Sequence, residues 1–207
     1  MHGYSDRINH ALAFTAKHYG SLAPSSAAMS YLASPANVAV ILARYSCDQP
    51  TIIAGILHFV LEEAPPARRE PLEGKISDKF GPVVLAVAKD ACELRFDGRG
   101  VERPWRSRKN DFLAHLAVAE PRALDIIAAD EIHRIGTTMA AMRRLGVEYL
   151  RTVSQAGSEQ TIWWYRSMLE ILVRRPDWPQ RQMLDEIRAM STDLVRALRE
   201  HEREDEP

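Results

Sequence analysis

The chain has 207 residues, of which 46% are hydrophobic, so it can bury the core of one domain without a disulfide. Its 27 basic and 28 acidic residues nearly cancel, which excludes a global positive field that would recruit nucleic acid or an anionic membrane. Two cysteines, an N-terminus without the apolar core of a signal peptide and no apolar stretch long enough to cross a bilayer predict a cytoplasmic protein.

Apolar residues recur at helical spacing along most of the chain and alternating strand patterns are absent, so we expect an all-α fold. The first helix is predicted to begin near Ser5 and to end at Gly20. Residues 21–34 are small and predict a loop. Pro35 then suits the first turn of the second helix, with Ser34 as its N-cap.

The third predicted helix is the most apolar part of the chain. It begins after Asp48, is apolar nearly all round over residues 52–61 and ends before Pro65, so it should lie at the centre of the helical bundle. The remaining helices are predicted over residues 72–80, from Pro82 through Cys92, over residues 105–118, from Pro121 to Gly146, from Ser158 through Leu172, and after Pro179.

The segment Pro176-Asp177-Trp178-Pro179 interrupts the helical pattern near the end of the chain. We therefore expect a helical core over residues 1–175, followed by a helical extension with a charged tail over residues 176–207. The sequence leaves open whether this extension packs on its own core or on a second subunit of a homo-oligomer.

Two predicted helices carry polar residues that could do chemistry. His58 and Glu62 are four residues apart and share one helix face, with Glu63 one step around it. Asp130 lies in another apolar helix, where a charged carboxylate needs a partner. Either His58 and Asp130 form a hydrogen bond between helices, or they share a metal ion such as Mn, Fe or Zn.

Three weaker candidates lie further along the chain. His133 follows Asp130 by three residues and is either a buried, hydrogen-bonded histidine or a part of the same cavity. A basic cluster could bind phosphate or form a solvated first helical turn; its members are Arg103, Arg106, Arg108 and Lys109. An aromatic trio over residues 163–165 is typical of a core or an oligomer contact.

Several short segments occur in a fixed order along the chain. They are Lys17-His18, Tyr31-Leu32-Ala33-Ser34-Pro35, Val38-Ala39-Val40-Ile41-Leu42, Gly55-Ile56-Leu57-His58-Phe59-Val60-Leu61-Glu62-Glu63-Ala64, Phe80-Gly81, Ala128-Ala129-Asp130-Glu131-Ile132-His133-Arg134 and Thr161-Ile162-Trp163-Trp164-Tyr165-Arg166-Ser167. This order resembles the HD-domain hydrolases of the RelA/SpoT type, which remove the 3′-pyrophosphate from (p)ppGpp. The resemblance implies an HD-domain helical bundle with additional C-terminal helices.

The resemblance also implies where a metal would be held. Members of that family hold Mn²⁺ with a His before Pro, a His-Asp pair and a distant Asp. Here those positions are Ser34, His58, Phe59 and Asp130, so only His58 and Asp130 remain as metal ligands. The implied cofactor is therefore none, or Mn if the site is functional.

Further roles follow from the same resemblance. Glu62 and Glu63 take the place of the pair that orients or activates the attacking water, and are the implied catalytic residues. The implied substrate-binding residues are His18, Tyr31, His133 and Arg134. The loop before Tyr31 lacks the basic residues with which the family holds the nucleotide.

These assignments lead to two functional hypotheses. In the first, the chain is a degenerate HD-domain protein that lacks metal-dependent hydrolysis and acts as a binding or regulatory module for a guanine nucleotide or another small phosphorylated ligand. In the second, it is an active phosphohydrolase that removes pyrophosphate from (p)ppGpp or a related nucleotide with rebuilt metal ligands.

Overall fold

The computed structural model describes residues 4–20, 25–146 and 157–204, and these ranges form nine α-helices and no strand. In chain order the helices are α1 (Asp6–Gly20), α2 (Ser25–Arg44), α3 (Gln49–Glu62), α4 (Pro66–Phe80), α5 (Pro82–Asp90), α6 (Trp105–Leu116), α7 (Pro121–Leu145), α8 (Ser158–Val173) and α9 (Arg181–Glu204). The predicted all-α fold is confirmed. None of these helices is long and apolar enough to span a membrane.

Helix α3 lies at the centre of the bundle. It is continuously buried from Thr51 to His58 and packs against α1, α2, α4, α5 and α7. Its position follows from its composition, because exposing any face of a helix that is apolar all round to water raises the free energy of the folded chain. The predicted central position of this helix is confirmed.

Helix α2 is longer than the sequence predicted. It begins at Ser25, so the predicted loop over residues 21–34 and the predicted N-cap at Ser34 are wrong from Ser25 onward. The small residues of this segment favour a loop, but several of them are alanine, which is the strongest helix former. Pro35 lies inside the helix, where it removes one backbone hydrogen bond and its ring crowds the carbonyl four residues earlier.

The C-terminal helix packs on the same chain, against α7 and α8. Trp178 is fully buried before α9, and its Nε1–H donates to Oδ1 of Asp125 at 2.7 Å. Arg175 donates to the backbone carbonyls of Leu116 and Ala119, each at 2.6 Å. These bonds fix the segment between α8 and α9 to α6 and α7.

The closest approach between α2 and α3 occurs at Gly55. A Cβ atom there would lie 2.5 Å from Cδ1 of the fully buried Leu42. We expect Gly55→Ala to lower the free energy of unfolding by about 1–3 kcal/mol through overpacking, as measured by urea titration. Gly74→Ala on α4 is the matched control, because its Cβ would meet open space, and it should stabilise by about 0.5–1 kcal/mol. Equal stability of Gly55→Ala and the parent would contradict this packing.

The start of α3 depends on Asp48, whose Oδ1 accepts the backbone N–H of Thr51 at 2.9 Å. Burial opposes ionisation, but the Thr51 hydrogen bonds and the charge of Arg122 more than offset it and hold the pKa of Asp48 below its ordinary value. A lowered pKa means that this stabilisation is complete above the pKa of the unfolded chain and is lost as the pH falls through the folded value.

We therefore expect Asp48→Ala to lower the free energy of unfolding by about 0.5–2 kcal/mol at pH 7. The difference from the parent should shrink below about pH 4, where the parent's carboxylate is protonated. Urea unfolding followed by circular dichroism at several pH values measures both effects. Asp48→Asn keeps a capping oxygen and should lose less at pH 7; a loss as large as that of Asp48→Ala would count against the capping role.

Candidate functional site

The residues predicted to form one site fall into two groups on different faces of α3. His58 and Glu62 interact electrostatically with Asp130 of α7. Glu63 instead lines a cavity on the α4 side, together with His18. The split follows from helix geometry, because residues four apart share a face whereas the next residue along is turned away from it.

Asp130 is paired with a cation from its own helix. Its Oδ2 accepts a hydrogen bond from Nη2 of Arg134 at 3.0 Å, and its side chain is 16% exposed. Burial raises the pKa of Asp130, but Arg134 and His58 more than offset this and leave the pKa below its ordinary value. Asp130 is therefore an ionised carboxylate whose counter-charge is a guanidinium.

His58 is buried and is held by its own helix. Its Nδ1 lies 2.7 Å from the carbonyl oxygen of Gly55. Since a carbonyl only accepts, Nδ1 carries a proton and donates a hydrogen bond to this carbonyl, which in the neutral ring leaves the lone pair on Nε2. Within the described ranges no hydrogen bond joins His58 to Asp130, so the hydrogen bond predicted between these helices is not formed.

His133 links α7 to α2. Its Nε2 lies 3.0 Å from Oγ of Ser34, so the hydrogen bond predicted for His133 is present, but the ring is half-buried rather than buried. Burial lowers the pKa of His133, and Arg134 adds to this effect, while Asp130 opposes it. The Ser34 hydroxyl therefore joins α2 to α7.

Both glutamates at the end of α3 have raised pKa values. For Glu62 the main cause is burial, to which Asp130 adds, and its Oε2 accepts the backbone N–H of Glu93 at 3.1 Å. For Glu63 the cause is again burial, opposed by the charge of Arg95. A raised pKa brings a carboxylate closer to the range in which it works as a general base.

A buried ionic cluster lies beside Glu62, and it was not predicted. Glu93 Oε2 lies 2.6 Å from Nζ of Lys109, and Oε1 lies 3.1 Å from Nη1 of Arg108. The Lys109 ammonium also lies 4.3 Å from the centre of the Trp164 ring. Arg108 and Lys109 are both buried, so a solvated helical turn is the wrong interpretation for these two residues.

The other members of the predicted basic cluster have partners of their own. Arg103 forms an ion pair with Asp111, and the Arg106 guanidinium lies 3.2 Å from the centre of the Trp163 ring. Each of these two side chains thus contacts another residue of the chain.

A signal in the sequence could have located the buried ion pairs of Glu93 with Arg108 and Lys109. Glu93 directly follows an apolar segment that ends at Cys92, and a carboxylate buried there needs a cation as its partner.

Two further polar residues, Glu131 and Tyr165, interact with Arg134. Glu131 is 2% exposed, and its Oε2 accepts no hydrogen bond from the described part of the chain. Its carboxylate raises the pKa of Arg134, and Asp130 adds to this effect. Burial raises the pKa of Tyr165 well above its ordinary range, and Glu131 contributes to the shift.

Tyr31 is the remaining implied substrate-binding residue, and its side chain lies outside the described residues.

The positions that would hold Mn²⁺ do not fit that ion. Phe59 has no lone pair to donate, the Ser34 hydroxyl contacts His133, and the Asp130 carboxylate is paired with Arg134. Over residues 4–20, 25–146 and 157–204, no three His, Cys, Asp or Glu side chains come together as a bound metal would require.

Two cavities lie near these groups, and neither is lined by His58 or Asp130. One, of about 560 Å³, lies between α5 and α6 and is lined by Arg108 and Phe112 among others. The second, of about 320 Å³, is bounded by α1, α3 and α4. We call it the α4 cavity and define it by its polar lining residues His18, Glu63, Arg68 and Lys75.

Comparison with known proteins identifies the family. Residues 11–155 match the HD domain family, which covers more than half of the chain. The chain belongs to the HD domain family. No curated protein matches this HD-domain chain by sequence.

Two solved structures resemble this HD-domain protein. A crystal structure of lmo0812 from Listeria monocytogenes EGD-e has a TM-score of 0.63 at 19% identity, and the match covers 79% of this chain and 99% of the other. A metazoan ortholog of SpoT, described as hydrolysing ppGpp and playing a role in starvation responses, has a TM-score of 0.61 at 19% identity, with 90% and 96% covered. At this identity the likeness establishes the fold.

The hydrogen bond between Ser34 and His133 can be tested by a double-mutant cycle. We expect Ser34→Ala to lower the free energy of unfolding by about 0.5–1.5 kcal/mol, because it leaves the His133 ring without its partner. His133→Ala should abolish most of that effect, so the two changes should be less than additive. Ser107→Ala, at an exposed position on α6, is the control. Strict additivity would mean that the bond contributes nothing.

Proposed function

We propose that this HD-domain chain is a binding or regulatory module for a guanine nucleotide or another small phosphorylated ligand, and that it lacks metal-dependent hydrolysis. The observation that carries the proposal is the ion pair between Asp130 and Arg134 at 3.0 Å. A guanidinium there neutralises the carboxylate that a metal would otherwise use. Phe59 in place of a carboxylate supports the same conclusion.

A dication brought to Asp130 would meet the positive charge of Arg134 at close range, and that repulsion amounts to several kcal/mol, roughly, at an effective dielectric constant of about 20. Displacing Arg134 would relieve the repulsion but would separate it from Glu131, which is buried. Either route weakens metal binding, and generating hydroxide from water requires a firmly held metal.

A second candidate is an active phosphohydrolase with rebuilt ligands, acting on (p)ppGpp or a related nucleotide. The lone pair on Nε2 of His58 and the raised pKa values of Glu62 and Glu63 favour it. The structural neighbour described as hydrolysing ppGpp is a further reason to test this substrate.

One measurement on the wild-type chain distinguishes the binding module from the active phosphohydrolase. Protein purified without chelator is analysed for bound metal, and is then incubated with ppGpp and Mn²⁺. We expect no stoichiometric metal and no pyrophosphate release, because only His58 and Asp130 remain of the implied ligands. One metal per chain together with pyrophosphate release would overturn the proposal in favour of the phosphohydrolase.

Rebuilding the site tests the role of Arg134. We expect Ser34→His with Phe59→Asp to bind Mn²⁺ weakly, because Arg134 still neutralises Asp130. Adding Arg134→Asn should strengthen binding at least tenfold, since removing the guanidinium frees the carboxylate. Titration followed by the electron paramagnetic resonance of free Mn²⁺ measures the dissociation constants.

Arg134→Asn alone is the control for this series, because it removes the competing charge without adding a ligand. It should gain little affinity for Mn²⁺. Equal affinity of the double and triple variants would show that Arg134 does not compete with a metal. No binding by the triple variant would contradict the assignment of positions 34 and 59 to the metal site.

A further inference from the structure

We infer that the α4 cavity binds a small molecule through a phosphate group, with Arg68 and Lys75 as its anion-binding side chains. The inference rests on the proposed binding role of this chain and names the place and the ligand chemistry. The cavity of about 320 Å³ is at the lower end of the volumes that hold small ligands.

The two cations project from one face of α4. Arg68 and Lys75 are seven residues apart, which is close to two helical turns, so both line the same cavity. Both are exposed, and neither forms an ion pair with any residue in the described part of the chain. Their charges are therefore available to a ligand.

The neighbouring cation on α4 is used differently. Arg69 pairs with Glu73 at 3.2 Å, and Lys89 of α5 pairs with the same carboxylate at 2.5 Å. The Glu73 carboxylate thus pairs with two cations outside the cavity lining. Arg69 and Lys89 are therefore paired cations between α4 and α5, whereas Arg68 and Lys75 in the cavity lining are unpaired among the described residues.

The charge balance of the lining favours an anion. Two cations face one carboxylate, Glu63, and the charge of Arg95 acts on that carboxylate as well. His18 adds a ring that can donate a hydrogen bond, and its pKa is lowered by burial and by the charges of Lys75 and Lys17. A bound anion would offset the repulsion between Lys75 and a protonated His18.

The shape of the cavity adds an apolar wall beside this polar rim. The wall is formed by Val60, Ala64, Pro65 and Leu72. Arginine and lysine are both common phosphate ligands, and a phosphate dianion matches the two unpaired charges. The apolar wall can then contact the remainder of the ligand, such as a sugar or a base.

Calorimetric titration of the full chain with inorganic pyrophosphate, with GDP and with citrate, at constant ionic strength, tests the inference. We expect pyrophosphate and GDP to bind and citrate to bind much more weakly. Arg68→Ala and Lys75→Ala should each weaken binding about tenfold. Arg68→Lys should recover part of the loss, and Glu63→Gln should tighten binding because it removes the opposing charge.

Arg199→Ala is the matched control, since it removes an exposed cation from α9, which packs against α7 and α8. It should leave the affinity unchanged, and thermal unfolding checks that every variant is folded. Pyrophosphate binding that is insensitive to both Arg68→Ala and Lys75→Ala would overturn the α4 cavity as the site while leaving the proposed binding role intact. Citrate binding as tight as pyrophosphate binding would overturn the phosphate preference, and no binding by any probe would overturn the inference.

Discussion

Burial of α3 on nearly every side is the constraint on which the other features depend. A helix surrounded by α1, α2, α4, α5 and α7 leaves room for charged side chains only near its two ends. His58 is the one charged or titratable side chain in the continuously buried stretch, and it satisfies its Nδ1 within the helix. Carboxylates therefore gather at the last turn, where Glu62 and Glu63 meet charges from other elements.

The charges around that turn are largely matched within the chain. Arg134 forms an ion pair with Asp130, and Lys109 forms one with Glu93, so cations of the same chain balance both carboxylates. Pairing of this kind costs desolvation of both partners, but breaking one partner leaves an unmatched buried charge. An HD fold can in this way keep its architecture after its metal chemistry has been replaced by internal ion pairs, as we propose.

Most helix limits could be predicted because proline, glycine and capping residues mark them. Asp48 and Pro121 fix the starts of α3 and α7 within a residue. The early start of α2 was missed because a run of serine and alanine has no periodic apolar face. The site was harder to predict, since the partner of His58 is a backbone carbonyl in its own helix, and the partner of His133 is Ser34, 99 positions away in the sequence. Such choices depend on packing, which spacing alone does not encode.

The link between Ser34 and His133 has a consequence for the order of folding. It joins residues 99 positions apart, so it closes a long loop that contains α3 to α6. Closing such a loop is entropically costly until the intervening helices have packed. We therefore expect this contact to form late in assembly, and an interaction that is absent from the folding transition state slows unfolding without speeding folding. The Ser34 hydroxyl would then act on the lifetime of the folded state rather than on the rate at which the chain folds.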